Sequence, residues 1–598
     1  MLGFDPGFSI TYDVANGPSS YSLLDRPTKL DNQRNLILAL VLSFLVLLGW
    51  TLLSDRILPT ATPPSTKIVD GKQVALPKPE APIDSAAQIR DRAIVLREAP
   101  RVAIATPKLK GSISLKGARI DDLVLVTYGE TIAKNSPPVR LLSPGGTADA
   151  YFAGFGWTGQ GAALPGADTV WAADGATLAP GKPVTLSWNN GQGQLFRIRF
   201  DVDADYLFTV TQTVANAGAG AVGVKPYGLV SRIGHSKDAD SWTMHTGPIA
   251  TFDGVTDYGI DFSDLDKNPA GERRNSTGGW LGFGDKYWLT ALIPDQKAAV
   301  EAGFRGADGR YQADLSRAVE VVAPKTQATA VTRLFAGAKE AHLLERYQDD
   351  LGIARLDRAI DWGWFVWFEK PIFYLLDWLF RMVGNFGVAI MCLTVVVRGL
   401  MFPIAQKQFS SAAAMRVLQP KMKALQEKYK DDKPRLQQEM MQLHKDEKVN
   451  PLAGCLPIFL QIPVFYALYK VLMLSIEMRH QPFILWIKDL SAPDPLLVTN
   501  LFGLLPFTPP HMLALGVLPI ILGITMYFQF KLNPQAMDET QRQIFSIMPW
   551  VLMFVMAGYA AGLVIYWSWS NTLTILQQKW LYSRHDKQIA SKGVEERR

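Results

Sequence analysis

The stretch "TVVVRGLMFPI", residues 394–404, sets Arg398 into an apolar run with no acidic residue close to it along the chain. On an ideal helix from Gly384 to Ile404 the arginine lies about 21 Å from the first end and about 9 Å from the second, at about 1.5 Å per residue. Two readings of such a cation stand side by side. In one, the long side chain snorkels to headgroups at the nearer membrane face, at a cost of about a few kcal/mol or less. In the other, a water-filled cavity keeps the guanidinium hydrated and lets it attract acidic groups. Polar residues in the neighbouring apolar runs favour the cavity: Thr394 one turn earlier, Gln461, Gln529, and the cluster Ser568, Ser570, Asn571 and Thr572. Singly, each is more often a helix-packing hydrogen bond. With an unpaired arginine among them, they suggest a hydrated groove.

Other residue types that carry chemistry are sparse. The two cysteines, Cys392 and Cys455, both lie in apolar runs, so no soluble part of the chain can be held by disulfides. The seven histidines form no H-x-x-x-H pair, and Walker A, G-x-S-x-G and H-E-x-x-H patterns do not occur. "GFGD", Gly282–Asp285, matches the G-x-G-D of intramembrane aspartyl proteases, but Lys286 follows at once and no span holds a partner aspartate. It is read as a loop. Neither catalytic residue, cofactor nor metal site is predicted, so the chain is not read as an enzyme.

The elements that must position Arg398 are apolar helices. Of 598 residues, 48% are hydrophobic and 19% charged, and the charge of +6 gathers in short segments beside the apolar runs. That pattern sets membrane orientation rather than a nucleic-acid surface. After an N-terminal extension (1–35), residues 36–53 are uncharged and long enough to cross a hydrocarbon core of about 30 Å. Arg26, Lys29 and Arg34 put the N-terminus in the cytoplasm. A cleaved signal peptide competes, against the length of the run and the want of a small-residue cleavage site. Further spans are read at 384–404, 452–475 and 512–530. Residues 544–578 hold no Asp, Glu, Lys or Arg. As one helix they would reach about 53 Å, so two are expected, 544–560 and 562–578, turning at "AGYAAG". Six spans follow, with 405–450, 531–543 and the tail 579–598 cytoplasmic, 476–511 an outer loop, and both termini inside.

Between the first two spans lie a Pro/Thr/Ala-rich linker (54–92) and a stretch with period two (93–358). There Asn190-Gly191 separates two strand-like runs, Phe196, Ile198, Phe200 and Val202 share a face, and Phe208, Val210, Gln212 and Val214 repeat the alternation. The predicted fold is a polytopic α-helical membrane protein of six transmembrane helices, five forming the core, with a large periplasmic all-β sandwich domain. The aromatic, charge-interrupted segment 359–383 is read as an interfacial amphipathic helix, the alternative being a buried helix of the β domain. In 405–450, Met415, Leu418, Met422, Leu425 and Tyr429, then "DDKP", then Leu436, Met440 and Leu443 predict a helical hairpin, with a kink or fresh start at Pro420. Its Lys421, Lys423, Lys428, Lys430, Lys433 and Arg435 form either a docking arm for ribosomal RNA or a targeting factor, or a solvated loop obeying the positive-inside rule. Both remain open.

"TVVVRGLMFP", "RVLQPKMKALQEKYKDDKPRLQQEMMQLHKDEKVNPLAGCLPIFLQIPVFYALYKVL", "LWIKDLSAPDP" and "GLVIYWSWSNTLTILQQ" resemble the YidC family of membrane protein insertases of Gram-negative bacteria. The likeness is specific from about residue 360 onward. It is weaker through the first span, preceded by "DNQRN", and through the β domain, including "GWLGFGDKYWLTALIPD". The resemblance implies a five-helix core around a hydrophilic groove, closed outside and open to cytoplasm and lipid. It places the groove arginine on Arg398 and polar groove positions on Thr394 and Gln461. Some members have two tyrosines where this chain has Tyr566 and Trp567, so one hydroxyl is absent; Ser570 and Asn571 complete the expected groove. Met391, Cys455, Pro457, Pro463 and Phe465 mark the surface along which a substrate helix slides. The implied function is insertion, folding and assembly of proteins in the bacterial inner membrane, alone or with the Sec translocon. Implied partners are nascent membrane proteins, the Sec translocon and its accessory subunits, the ribosome and signal-recognition targeting machinery, and the phospholipid bilayer. A solute transporter would show inverted repeats with broken helices, and none is evident. A structural assembly scaffold would need the β domain and hairpin but not Arg398.

Overall fold

The computed structural model describes residues 66–69, 72–75, 89–238, 244–430, 432–447, 456–507, 509–510, 514–532 and 539–595. The N-terminal extension, the first predicted span and most of the linker lie outside these residues. The chain divides into two units, 1–80 and 81–598. In the first, Thr66–Val69 pairs antiparallel with Lys72–Ala75, so part of the predicted linker forms strands.

In the second unit, alternating apolar residues build a sandwich of a nine-stranded and an eleven-stranded sheet. Leu207–Asn216 lies between Gln194–Val202 and Thr326–Ala338 in the first sheet. Val222–Ile233 lies between Tyr151–Gln160 and Arg310–Arg317 in the second. The predicted face is the buried one: Phe196, Ile198, Phe200, Phe208 and Val210 have no exposed surface. Trp157 meets Phe196 edge-on at 5.2 Å and Phe155 meets Phe200 at 6.2 Å, joining the sheets through aromatic pairs. Gln212, the polar residue on that face, donates to the Gly156 carbonyl of the opposite sheet at 2.7 Å, so its burial leaves no amide N–H orphaned there.

The "GFGD" stretch is not a loop. Trp280–Gly284 is a fully buried strand, and a Cβ on Gly282 would lie 2.0 Å from the Thr290 carbonyl oxygen. Glycine is required there for close strand packing. Asp285 accepts from Arg232 Nη1 at 3.2 Å.

Helices follow the sandwich: α1 (Ala341–Leu351), α2 (Val366–Val383), α3 (Phe386–Lys428), α4 (Lys433–Asp446), α5 (Leu456–Leu474), α6 (Val517–Leu532), α7 (Glu539–Val555) and α8 (Ala561–Glu595). Asn385 caps α3, its side chain accepting from Val388 N at 3.1 Å. This helix runs unbroken for 43 residues, through Pro403 and Pro420, from the apolar segment into the first arm of the hairpin. There is no fresh helix start at Pro420. Asp432 caps α4, and Lys421 pairs with Glu447 at 2.6 Å, holding the two arms antiparallel. Between α7 and α8 the chain turns from Met556–Gly558, overlapping the start of the predicted "AGYAAG", to the beginning of α8 at Ala561. Among the described residues, Phe386–Gln406 is both long and apolar enough to cross a membrane; Gln461–Leu474, Val517–Leu532 and Ser546–Gly558 are shorter apolar helices.

Candidate functional site

Arg398 on α3 reaches across to α8. Its Nη2 donates to the Ser570 hydroxyl at 2.6 Å and to the Ser570 carbonyl at 3.1 Å. Among the described residues no carboxylate lies within ion-pair distance of it. Around this contact α5, α6 and α8 add polar groups. Gln461 on α5 donates to the Tyr566 hydroxyl on α8 at 2.6 Å, and Asn571 on α8 donates to Thr525 on α6 at 3.4 Å. Among the described residues, Gln529 Oε1 on α6 and Ser568 Oγ, Gln577 Nε2 and Gln578 Oε1 on α8 are buried without a hydrogen-bond partner. Buried polar atoms left unmatched on apolar helices mark positions where water would be favourable. Thus Arg398, Gln461, Tyr566, Ser570 and Asn571 come together.

Two predicted groove residues are placed differently in detail. Thr394 is buried, but its hydroxyl bonds back to Ile390 of its own helix at 2.7 Å. Trp567 turns its ring edge-to-face onto Phe465, centroids 4.9 Å apart, and so belongs to an aromatic contact.

Of the residues expected on the sliding surface, Met391 and Phe465 are partly buried against the core. Pro463 lies inside α5 and is also partly buried. Cys455 lies outside the described residues, as does the side chain of Pro457. Among the described residues, apolar side chains turned outward on these helices include Val395, Val396 and Leu400 of α3, the last 76% exposed, and Ile462 of α5. On the hairpin, Lys421, Lys423, Lys428, Lys430 and Arg435 are exposed; the Lys433 side chain lies outside the described residues. Lys428 and Arg435 both sit over the Tyr429 ring, at 5.1 and 5.4 Å from its centroid.

A second set of charges, outside those singled out from the sequence, gathers where the sandwich meets the helices. Lys470 of α5 is 1% exposed and donates to the Asp361 carbonyl at 2.6 Å, with the Asp361 carboxylate at 3.7 Å. Glu369 of α2 has no exposed surface, and neither of its carboxylate oxygens has a partner among the described residues. Burial raises its pKa to about 7, against the pull of Lys470 and with help from Asp361. Glu477 accepts from Ala341 N at 3.1 Å, and burial raises it to about 7 as well. Glu340, at the start of α1, accepts from Lys108 (2.7 Å), Tyr128 (3.0 Å) and Tyr206 (2.8 Å) of the sandwich. The sequence signal for Lys470 is the one that marked Arg398, a cation in an apolar run.

The two parts of the chain match two family models, "YidC periplasmic domain" over residues 101–375 and "60Kd inner membrane protein" over residues 378–588. Over 562 residues the chain is 50% identical to the membrane protein insertase YidC of Zymomonas mobilis, covering 92% of this chain and 96% of that one. Over 601 residues it is 44% identical to the insertase of the same name from Bradyrhizobium diazoefficiens, covering 93% and 97%. A crystal structure described as an active YidC insertase with the first transmembrane domain resolved aligns with a TM-score of 0.36 at 18% identity, over 81% of this chain and 93% of that one.

Proposed function

The chain belongs to the YidC family of membrane protein insertases, and we propose that it inserts proteins into the bacterial inner membrane through a hydrated groove centred on Arg398. The family is one of insertases and not of enzymes. The observation that carries the groove is a half-buried arginine held by a serine rather than a carboxylate, among unmatched polar atoms of α6 and α8. A cation so placed is available to an acidic group of a passing chain.

The mechanism follows from solvation. A polar tail crossing hydrocarbon loses water from its charges and backbone groups, which is the main barrier. Water admitted part-way along the groove shortens that barrier, and Arg398 holds acidic residues of the tail in transit. The substrate's apolar helix moves along the outward side chains of α3 and α5 and leaves into lipid. Hydrophobic burial drives the step, and the membrane potential favours outward movement of acidic tails.

In this reading the chain crosses six times, at 36–53 and at the five segments from 384 to 578, with both termini cytoplasmic and the β domain in the periplasm. α2 lies along the outer interface: Trp364 (78% exposed) just before it and Trp367 and Trp378 on it face outward, while Lys370 pairs inward with Glu345 (2.8 Å) and Asp357 (2.6 Å). The basic hairpin docks ribosomes or targeting factors, and the Sec translocon assists with larger substrates.

The decisive experiment is insertion of a short single- or double-spanning substrate into liposomes containing only this protein, scored by protease protection beside empty liposomes and Arg398→Ala. Protection that needs the protein and falls with the substitution supports the groove. Protection equal to empty liposomes moves the function to a Sec-dependent chaperone or scaffold.

A further inference from the structure

Between α5 and α6 the chain runs over the end of the helical part that carries the sandwich. Arg479 Nη1 donates to the Gly129 carbonyl of the sandwich at 2.9 Å, and Phe483 O accepts from Asn385 at the start of α3 at 3.0 Å. The base of this loop is firmly built. Buried Asp494 accepts from Trp486 Nε1 (3.0 Å), Leu496 N (3.0 Å) and Leu518 N (2.7 Å), which ties it to the first turn of α6. Leu497 bridges Gly516, whose added Cβ would lie 2.7 Å from that of Asp494.

From this base residues 499–507 project as a compact tip. Asn500 Oδ1 accepts from Gly503 N at 2.9 Å, Phe502 N donates to Leu497 O at 2.8 Å, and Leu505 N to Asn500 O at 3.1 Å. Leu501 and Phe502 take φ of 51° and 60°, the left-handed region that bulky residues avoid. The backbone is thus folded on itself and its side chains are turned out: Leu501, Phe502, Leu504, Leu505 and Phe507 are all exposed, Leu504 to 81%. From Pro495 to Phe530 the sequence holds no Asp, Glu, Lys or Arg.

We propose that this tip is an outer-leaflet anchor, seated among phospholipid chains just below the headgroups. The inference rests on the membrane spans proposed above. Three observations favour lipid as the occupant. The loop base is tied to α6 through Asp494 and Leu518, and the outward Ile521, Ile524, Tyr527 and Phe528 of that helix present the same kind of apolar surface. A protein-docking patch carries a polar rim, and this one has no charged residue around it in sequence. The end of α2 adjoins Asn385, which bonds this loop at Phe483 O, and α2 turns Trp367 and Trp378 outward, as aromatic side chains at headgroup level do. Irregular backbone does not survive in the hydrocarbon interior, so the self-bonded tip reaches the headgroup–acyl boundary and no deeper.

The test is photocrosslinking in vesicles of phosphatidylethanolamine and phosphatidylglycerol, with benzoylphenylalanine placed at Leu504, at Phe507 and, as a solvated control, at Asp308 on an exposed turn of the sandwich. The expected result is phospholipid adducts, read by mass, several-fold more abundant at 504 and 507 than at 308. Adducts to a second polypeptide at 504 and 507, or lipid adducts no more abundant there than at 308, would overturn the anchor. Substrate insertion measured in the same vesicles separates this from the fate of the groove: an active insertase with a lipid-free tip refutes the anchor alone.

Discussion

Arg398 and Ser570 are 172 positions apart in the chain, yet their contact defines the candidate groove. The arginine itself was legible, because a cation in an apolar run stands out; its partner was not, because a serine in a helix carries no signal of which helix it faces. Thr394, one turn away on the same face, satisfies itself on Ile390, a competition that spacing alone cannot resolve. If Arg398 captures acidic residues, its effect must depend on the substrate. Arg398→Ala should lower insertion of an acidic-tailed substrate several-fold, Arg398→Lys should restore most of it, and a tail with Asn and Gln in place of its acids should be indifferent to both. Equal losses on both substrates in a protease-protection assay would make the arginine a strut to Ser570. Tyr566→Phe removes the acceptor from the Gln461 amide and should cost about 1 kcal/mol, read as a lower thermal midpoint in detergent.

The elements were legible where period and punctuation agreed. The alternating strands of the sandwich follow the pleat, and the turn at 556–558 falls where small residues loosen the helix. The continuous α3 was not legible, since the span was read to end at 404 and Pro420 argued for a kink or a fresh start beyond it. The buried charges on α2 and after α5 were hidden for a different reason: a helix in an aromatic segment does not declare which face meets the sandwich. Their consequence is a pH dependence of known sign. Glu369 and Glu477 bind protons more tightly in the fold than in the unfolded chain, from ordinary values near 4.5 to about 7. Their stabilising contribution is therefore complete below about 4.5 and is lost as pH rises through about 7. Glu369→Gln, which keeps the shape of the protonated acid, should raise the thermal midpoint at pH 8 and leave it nearly unchanged at pH 4.5. A midpoint lowered at both values would mean that the ionised carboxylate is wanted beside Lys470. For the hairpin, Glu substituted for Lys423, Lys428 and Lys430 should weaken binding of ribosome–nascent-chain complexes while leaving insertion of a purified substrate intact. Unchanged ribosome binding would leave the hairpin a solvated loop.

At the scale of the whole molecule the open quantity is parity. The sandwich and the helical part are joined through Glu340, Glu477, Arg479 and Lys470, so the end of the helices nearest the sandwich is fixed by contacts. Whether the far end lies across a membrane depends on the short helices. Ser546–Gly558 as an apolar stretch covers only about 20 Å at about 1.5 Å per residue, less than a hydrocarbon core of about 30 Å. The whole of α7, Glu539–Val555, has 17 residues and reaches about 26 Å, which a slightly thinned bilayer accommodates. Five crossings after the sandwich put the C-terminus on the side opposite to it; four, with α7 lying flat and α8 meeting it, would not. A protease-cleavable insertion after Gly309, on an exposed sandwich turn, should be cut in spheroplasts, and one after Lys430 or at the C-terminus only in inverted vesicles. Cutting at Gly309 and at the C-terminus from the same side would remove one crossing, and with it the geometry that lets α8 bring Ser570 to Arg398 at mid-depth.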